Sequence, residues 1–204
     1  MKRLSLICLA LLLSSSLFAQ IEFGGEAGIG FKNFTGQDVG EIAESITEGT
    51  LGLQLIVHLP GKWGIQTGLV YDRKGSLTDA TVTSTQAQMD YLVIPVSIRY
   101  TTGKLIKPFA HAGLYAGYLI DSKNLVTIGG IASTVDNIEF NNRLETGATF
   151  GLGLDFPKVL GLRPSVEWRN YLGLSNINNA PLSTARVRTF GTLIMLQMRM
   201  SIGG

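Results

Sequence analysis

Cysteine is nearly absent from this chain of 204 residues, and its scarcity removes several kinds of chemistry. Cys8, the single cysteine, lies in an apolar segment near the N-terminus. If that segment is cleaved, the mature protein has no cysteine, which excludes a disulfide scaffold, a thiol nucleophile and a cysteine-based metal site. Histidine is also scarce, because His58 and His111 are the only two. We therefore expect no metal, no cofactor and no catalytic residue.

The chain also lacks an apolar run long enough to form a transmembrane helix. Its longest run, Leu4 to Leu13, falls well short of the ~20 residues that a spanning helix requires. Lys2 and Arg3 precede this run, and Ala19 ends a small-residue segment after it. This order is typical of a secretory signal peptide. We predict that residues 1–19 are a cleaved signal peptide and that residues 20–204 form one domain.

Basic and acidic residues balance in the predicted mature chain, which is also rich in glycine. Loss of Lys2 and Arg3 leaves 15 basic residues against 15 acidic ones, so there is no electrostatic case for binding nucleic acid. The 25 glycines occur within alternating segments such as GATFGLGLDF. Glycine costs up to ~1 kcal/mol relative to alanine in a helix, whereas bent or closely packed strands accommodate it. The composition therefore favours an all-β fold.

The segment YLVIPVSIRY, from Tyr91 to Tyr100, has two unlike faces. One face is continuously apolar, while the other carries Ser97 and Arg99, as the period of two in a strand requires. Its length matches the ~9 to 11 residues with which a tilted strand crosses a membrane. Seven other segments alternate in a similar way, at about 21–31, 50–59, 63–71, 108–120, 144–156, 162–174 and 188–202.

The connections between these eight segments alternate between long and short. The long ones are polar and cover residues 32–49, 72–88, 121–141 and 175–185. Outer-membrane barrels have an even number of strands, short periplasmic turns and longer external loops. We predict an all-β fold, an eight-stranded antiparallel up-and-down transmembrane β-barrel. It would be a monomer with its termini in the periplasm.

Charged residues lie on the faces opposite the apolar ones, and we expect them inside the barrel. An apolar core would not accept so many charges without a large desolvation cost, whereas a small polar lumen lets them pair. Eight strands leave an interior that side chains just fill, so we expect no wide pore. Counting from the turn at Val159, we expect Asp155 opposite Arg163. The predicted lumen cluster is Glu26, Arg99, Glu145, Asp155, Arg163, Glu167, Arg169 and Arg199, with Glu22 on the same face.

Aromatic residues lie near both ends of the predicted strands. Two interfacial girdles are typical of outer-membrane barrels. The girdle near the short turns would contain Phe23, Trp63, Tyr100, Phe109 and Phe156, and the one near the long loops Phe31, Tyr71, Tyr91, Tyr118 and Phe140.

Four motifs resemble the PorT-like outer-membrane beta-barrel family of Bacteroidetes. They are GLVYDRKG, YLVIPVSIRY, GATFGLGLDF and RNYLGLSNI, in the same order. The resemblance implies an outer-membrane barrel, and its founding member implies an association with protein secretion. Two features depart from the family pattern. Val93 stands where a glutamate is common, and the chain ends without the aromatic residue that such barrels use in assembly.

These observations lead to one principal functional hypothesis and two alternatives. The principal one is a non-enzymatic outer-membrane protein with a structural role or a binding role in its external loops. Its expected partners are outer-membrane lipid, lipopolysaccharide and a protein bound through those loops, with accessory participation in secretion as a family-level expectation. One alternative is a soluble exported barrel that holds an apolar ligand inside. The other is a lipid-modifying enzyme, which would need a serine beside His58 or His111.

Overall fold

The computed structural model describes residues 20–36, 43–79, 83–128, 131–179 and 185–202. The predicted signal peptide, part of the acidic first loop and the last two glycines lie outside these ranges. The strands are β1 Ile21–Thr35, β2 Ala43–His58, β3 Trp63–Asp79, β4 Thr83–Thr101, β5 Lys107–Ile128, β6 Ile131–Asp136, β7 Leu144–Asp155, β8 Leu162–Gly173 and β9 Arg188–Ile202. A short 3-10 turn covers Ile138–Phe140. Among the described residues, no helix is long and apolar enough to cross a membrane.

Eight of the strands form a closed antiparallel ring. Each strand pairs with its neighbour in sequence, except that β5 pairs with β7 across the short β6. The first and last strands, β1 and β9, pair along their whole length and close the ring. This arrangement confirms the predicted all-β, eight-stranded up-and-down barrel. The remaining strand, β6, pairs with the outer end of β5 and is not part of the ring.

The polar connections on one side are shorter than the sequence predicted, because the strands continue into them. The predicted loop at residues 72–88 is a hairpin, in which β3 runs to Asp79 and β4 starts at Thr83. The predicted loop at residues 121–141 contains the end of β5 and all of β6. The β3–β4 extension carries mostly polar side chains, and the end of β5 and β6 mix polar and apolar ones, so none of them has the alternating apolar face that marks the membrane-spanning segments.

The apolar faces point outward and the polar faces inward. In β4, Ile94, Val96 and Ile98 are exposed, whereas the alternate residues Ser97 and Arg99 are buried. The other strands of the ring have the same arrangement, which is the reverse of that in a soluble protein with an apolar core. Large exposed apolar side chains include Ile29, Leu51, Leu114, Leu152 and Leu196, each exposed by more than half.

Candidate functional site

Charged side chains of both signs, joined in ion pairs, fill much of the interior of the ring. Among the described residues, six acidic and six basic inward side chains take part in these ion pairs, and all but Arg163 are at most 6% exposed. Lys107, a further inward base, lines the mouth at the short-turn end. A water-filled channel would expose the side chains that line it, so this degree of burial indicates a closed interior. The acids are Glu22, Glu26, Asp72, Glu145, Asp155 and Glu167, and the bases are Lys32, Lys74, Arg99, Arg163, Arg169 and Arg199.

Asp155 is the centre of the cluster nearest the short turns. Arg99 donates two hydrogen bonds from Nη2 to the Asp155 carboxylate, at 2.8 and 2.7 Å, and Arg199 Nη2 donates a third at 2.5 Å. Ser165 adds a fourth from its hydroxyl at 2.8 Å. The Arg99 guanidinium also stacks on Phe109, with its Cζ 3.4 Å from the ring centroid. One carboxylate therefore holds two arginines from opposite sides of the barrel.

Arg163 does not face Asp155, so that predicted pair is wrong. The cross-strand partner of Asp155 is Ser165, and Arg163 instead donates from Nε to Glu22 Oε1 at 3.1 Å. The reason is the position of the turn. Val159 pairs with Leu162, so the turn is centred on Leu160 and Gly161, later than the Val159 centre that the sequence suggested.

Arg169 is the centre of a second cluster, deeper in the barrel. It binds Glu26 through both Nη atoms at 2.8 Å, and its Nε donates to Glu167 Oε1 at 2.5 Å. His111 Nε2 lies 2.9 Å from the same Glu167 oxygen. Gly151 leaves space for this contact, because a Cβ there would lie 2.4 Å from His111 Nε2. Glu167 and Arg169 thus form the structural ion pair that their spacing suggested, within a larger network.

Two further ion pairs lie closer to the long-loop end, and sequence reasoning missed three of their residues. Lys32 pairs with Asp72, and Thr50 hydrogen-bonds both. Lys74 Nζ donates to Glu145 Oε1 at 2.7 Å. The sequence pattern predicts loops at Lys32, Asp72 and Lys74, whereas the structure places all three in strands. The sequence did contain a signal: counted in steps of two along the strand, each of these three residues follows the inward-facing residues before it.

An aromatic layer surrounds Lys74. Its ammonium lies 5.1, 5.0 and 5.9 Å from the ring centroids of Tyr91, Tyr115 and Tyr171. Tyr115 also donates its hydroxyl to Glu145 at 2.5 Å. Val93 is fully buried in the same apolar layer. The layer separates the two deeper clusters from the external end.

The exterior carries both aromatic girdles, with two corrections. Phe23, Trp63, Tyr100, Phe31, Tyr118 and Phe140 are exposed, and Tyr71 and Phe156 are partly buried. Trp63 and Tyr100 contact each other edge to face at 4.9 Å. Tyr91 and Phe109, which the sequence placed in the girdles, point into the barrel instead. Both alternate with the outward residues of their strands, so the period of two predicts an inward direction. Position near a strand end is therefore not enough to place an aromatic residue in a girdle.

A cavity of ≈ 530 Å³ opens at the short-turn end, below the Asp155 cluster. His58 lies on its wall, with Nε2 3.6 Å from Glu22 Oε1. Lys62, Trp63 and Lys107 line the same cavity. Within the part of the chain that the structure describes, no group of three His, Cys, Asp or Glu side chains is arranged to hold a metal ion. The cavity is a vestibule whose lining includes Glu22, Asp155 and Arg163 of the charged network.

An outward apolar band between aromatic girdles, around an interior of paired charges, defines a transmembrane β-barrel of the outer-membrane type. Sequence comparison agrees with this class. A family model described as outer membrane protein beta-barrel domain matches residues 16–179. The chain belongs to this family, which implies location in the outer membrane. No curated protein matches the chain.

Solved structures show the same fold at low sequence identity. OprG, an outer membrane protein of Pseudomonas aeruginosa, is 10% identical, with a TM-score of 0.51; the match covers 91% of this chain and 97% of OprG. Neisserial surface protein A is 14% identical, with a TM-score of 0.48, and the match covers 86% of this chain and 95% of that one. At this identity the likeness to OprG establishes the architecture and nothing about a ligand.

Proposed function

We propose that this protein is a sealed outer-membrane barrel whose working surface is the external side, where strands β3 to β6 extend beyond the membrane. The observation that carries this proposal is the closed interior. Its six acidic and six basic side chains neutralise one another, which leaves neither a polar path for solutes nor an apolar cavity for a ligand. The barrel therefore acts as a structural support, and partners bind to its external strand ends and loops.

A gel-shift and conductance experiment tests this proposal. The protein, recovered from the membrane fraction, is run in SDS with and without boiling, and is then reconstituted into planar lipid bilayers. We expect a heat-dependent shift in migration, because a closed barrel resists the detergent, and no stable ion conductance. Stable open channels in most insertions would contradict the sealed interior. Recovery in the aqueous fraction without a heat shift would contradict the membrane assignment.

We also propose contact with lipid and lipopolysaccharide around the outer end of the barrel, as a monomer. Arg73 follows Tyr71, the last outward aromatic of β3, and lies on the outer wall where lipid headgroups begin. Its guanidinium pairs with Asp90 and remains 38% exposed, so it can still meet an anionic headgroup. Arg73→Met should weaken co-purification of lipopolysaccharide if this contact matters. Unchanged lipopolysaccharide content would remove the support for it.

The resemblance to PorT-like barrels supports an accessory role in secretion, and this is a separate proposal. Deletion of the coding sequence should then reduce a subset of secreted proteins in the culture medium. Complementation by the wild-type chain should restore them. N-terminal sequencing of the mature protein tests the predicted cleavage after Ala19 in the same material. An unchanged secreted fraction would leave the binding role without the secretion role.

The two alternatives find less support in the geometry. A soluble carrier would need an open apolar interior and a polar outer face, but here ion-paired charges and a packed apolar layer fill the interior, and the outer face is apolar. A lipid-modifying hydrolase would need a serine beside a histidine near the membrane surface. The contacts described for the two imidazoles are with carboxylates, Glu22 for His58 and Glu167 for His111. We therefore propose a non-enzymatic role.

A further inference from the structure

Strand β6 is the open edge of a sheet that projects beyond the membrane. The outer ends of β3, β4 and β5 continue past the girdle as paired strands, and β6 extends this sheet by one strand. In the sheet order of the described strands, β6 pairs with β5 alone. All six of its residues, Ile131–Asp136, are exposed. Each described strand of the ring has a neighbour on both sides along most of its length, whereas β6 has a neighbour on one side only.

Apart from its short length and Asp136 at one end, β6 lacks the features that normally protect an exposed strand. Edge strands are commonly guarded by charged residues, proline or bulges, which prevent pairing with other chains. The segment Ile131 to Val135 reads IASTV, with no charge and no proline, and three of its five residues are β-branched. Ile131 and Val135 are 77% and 51% exposed. An unprotected edge of this composition is suited to accepting another strand.

The hydrogen-bond register shows which backbone groups are free to pair. Asn137 N donates to the carbonyl of Ser122, and these two residues continue the register of β5 with β6. In an antiparallel ladder, alternate residues point their N–H and C=O toward the same neighbour. The amides of Ile131, Ser133 and Val135 therefore face β5. Those of Ala132, Thr134 and Asp136 face outward.

We propose that β6 binds an extended segment of another protein as an additional antiparallel strand, with a basic residue at the membrane-proximal end of that segment. The inference rests on the proposed function, because it specifies what the external surface binds. Main-chain pairing at a sheet edge is a general mode of peptide recognition. The charge preference comes from Asp136 and Glu139, which are both exposed. Lys123, the register partner of Asp136, forms its ion pair with Asp121 instead.

A second copy of this chain is a poorer occupant than a separate protein. Two copies in one membrane have the same orientation, so a two-fold axis along the membrane normal would pair β6 with β6 in parallel. Parallel pairing is slightly less stable per residue. It would also bring the Asp136 and Glu139 side chains of both copies together at one end, where like charges repel. A basic segment from another protein meets neither obstacle.

A peptide-binding experiment on the full-length protein in detergent micelles tests the proposal. The probe is a fluorescent hexapeptide with an N-terminal lysine followed by alternating valine and threonine. Two control peptides carry either glutamate in place of lysine or N-methyl groups on alternate amides. We expect saturable binding of the lysine peptide, at least tenfold weaker binding of the glutamate peptide, and none of the N-methylated one. Equal binding of all three would overturn the proposal.

Substitutions at Thr134 separate edge pairing from other contacts. Thr134→Pro removes an outward N–H and leaves the amides that face β5 in place, a position where strands tolerate proline. Thr134→Val is the matched control, since it keeps the N–H. We expect at least a tenfold loss of affinity for Thr134→Pro and an unchanged affinity for Thr134→Val. If Thr134→Pro fails to fold, the N-methylated peptide still decides the question on the wild-type protein.

The remaining outcomes distinguish this inference from the proposed function. A sealed, heat-modifiable barrel that binds no lysine peptide up to millimolar concentration would overturn the edge proposal alone. Disulfide cross-linking of a Ser133→Cys variant between copies in vesicles would show self-pairing and would also overturn it. A conducting barrel would contradict the proposed function independently of any peptide result.

Discussion

Arg169 illustrates how charged residues are held inside this barrel. Its guanidinium is 2% exposed and binds two carboxylates, Glu26 and Glu167, while His111 and Gln197 bind the second of these as well. Burying a charge is costly unless a partner and further hydrogen bonds compensate it. Each residue of the cluster therefore depends on the others, and loss of one partner leaves an uncompensated charge.

We expect Arg169→Met to lower the free energy of unfolding by about 3 to 5 kcal/mol, because Glu26 and Glu167 would remain buried with less compensation. Urea unfolding in lipid vesicles, followed by tryptophan fluorescence, measures the change. Arg73→Met is the comparison, since Arg73 forms a partly exposed pair with Asp90 on the outer wall, and its loss should cost less than the loss of Arg169. Adding Glu26→Gln to Arg169→Met should recover part of the loss. Equal effects of the two arginine substitutions would contradict this account.

Asp90, on the outer wall beyond the girdle residue Tyr71, provides a prediction about pH. Burial raises the pKa of its carboxyl, but hydrogen bonds from Arg73 and Tyr71 outweigh burial and lower the pKa below its ordinary 3.8. Because the folded pKa is depressed, the carboxylate stabilises the fold above that ordinary value and loses this effect as pH falls through the folded pKa. NMR titration of the Asp90 carboxyl should give a pKa below 3.8, and Arg73→Met should raise it. An unchanged pKa in the variant would contradict the assigned cause.

The sequence located some of the buried charges and missed others, for a physical reason. Glu26, Arg99 and Glu145 lie in segments whose other face is apolar, so their inward direction followed from alternation. Lys74 lies where both faces are polar, and Lys32 lies where the apolar alternation of β1 ends, so a strand at either position resembles a loop. The ion-pair partner of each charged residue was harder to predict than the direction of its side chain. Arg99 reaches Asp155 across the barrel, and no sequence spacing encodes that distance.

At the scale of single elements, the membrane-spanning parts of the strands were predictable and their external extensions were not. Lipid requires an apolar outer face, which produces the period of two in YLVIPVSIRY. Beyond the girdle the outer face meets water instead of lipid, so this constraint ends while hydrogen bonding continues. The hairpin of β3 and β4 therefore extends to Asp79 and Thr83 in a segment rich in Ser, Thr and Gln. The short strand β6 has no buried face that would impose an alternating pattern, since all six of its residues are exposed.

The turn between β7 and β8 provides a prediction at the element scale. Leu160 and Gly161 both have positive φ, 53° and 82°, as a two-residue type I′ hairpin turn requires. Leucine is strained in this region, whereas asparagine followed by glycine is favoured there. Leu160 is 97% exposed, so its side chain contributes little packing. We expect Leu160→Asn to raise the free energy of unfolding by about 0.5 to 1 kcal/mol.

Gly161→Ala is the opposite test of the same turn. Alanine at a φ of 82° is strained, although no atom would obstruct its Cβ. We expect a loss of about 1 kcal/mol. Both variants are measured by urea unfolding in the same vesicles. A loss on Leu160→Asn would show that Leu160 contributes through contact with the membrane surface rather than through the turn.

At the scale of the whole molecule, the two tryptophans report its position in a bilayer. Trp63 begins β3 next to a short turn, whereas Trp168 lies in the middle of β8, and both point outward. The variants Trp168→Phe and Trp63→Phe leave one reporter each. In vesicles of lipids brominated at a defined depth, we expect deep bromines to quench Trp168 most strongly and bromines near the headgroups to quench Trp63. Trp168 faces the centre of the apolar band, between Leu152 and Ile194 on the neighbouring strands. Equal quenching of both reporters at every depth, or none at all, would contradict the proposed orientation of the strands across the membrane.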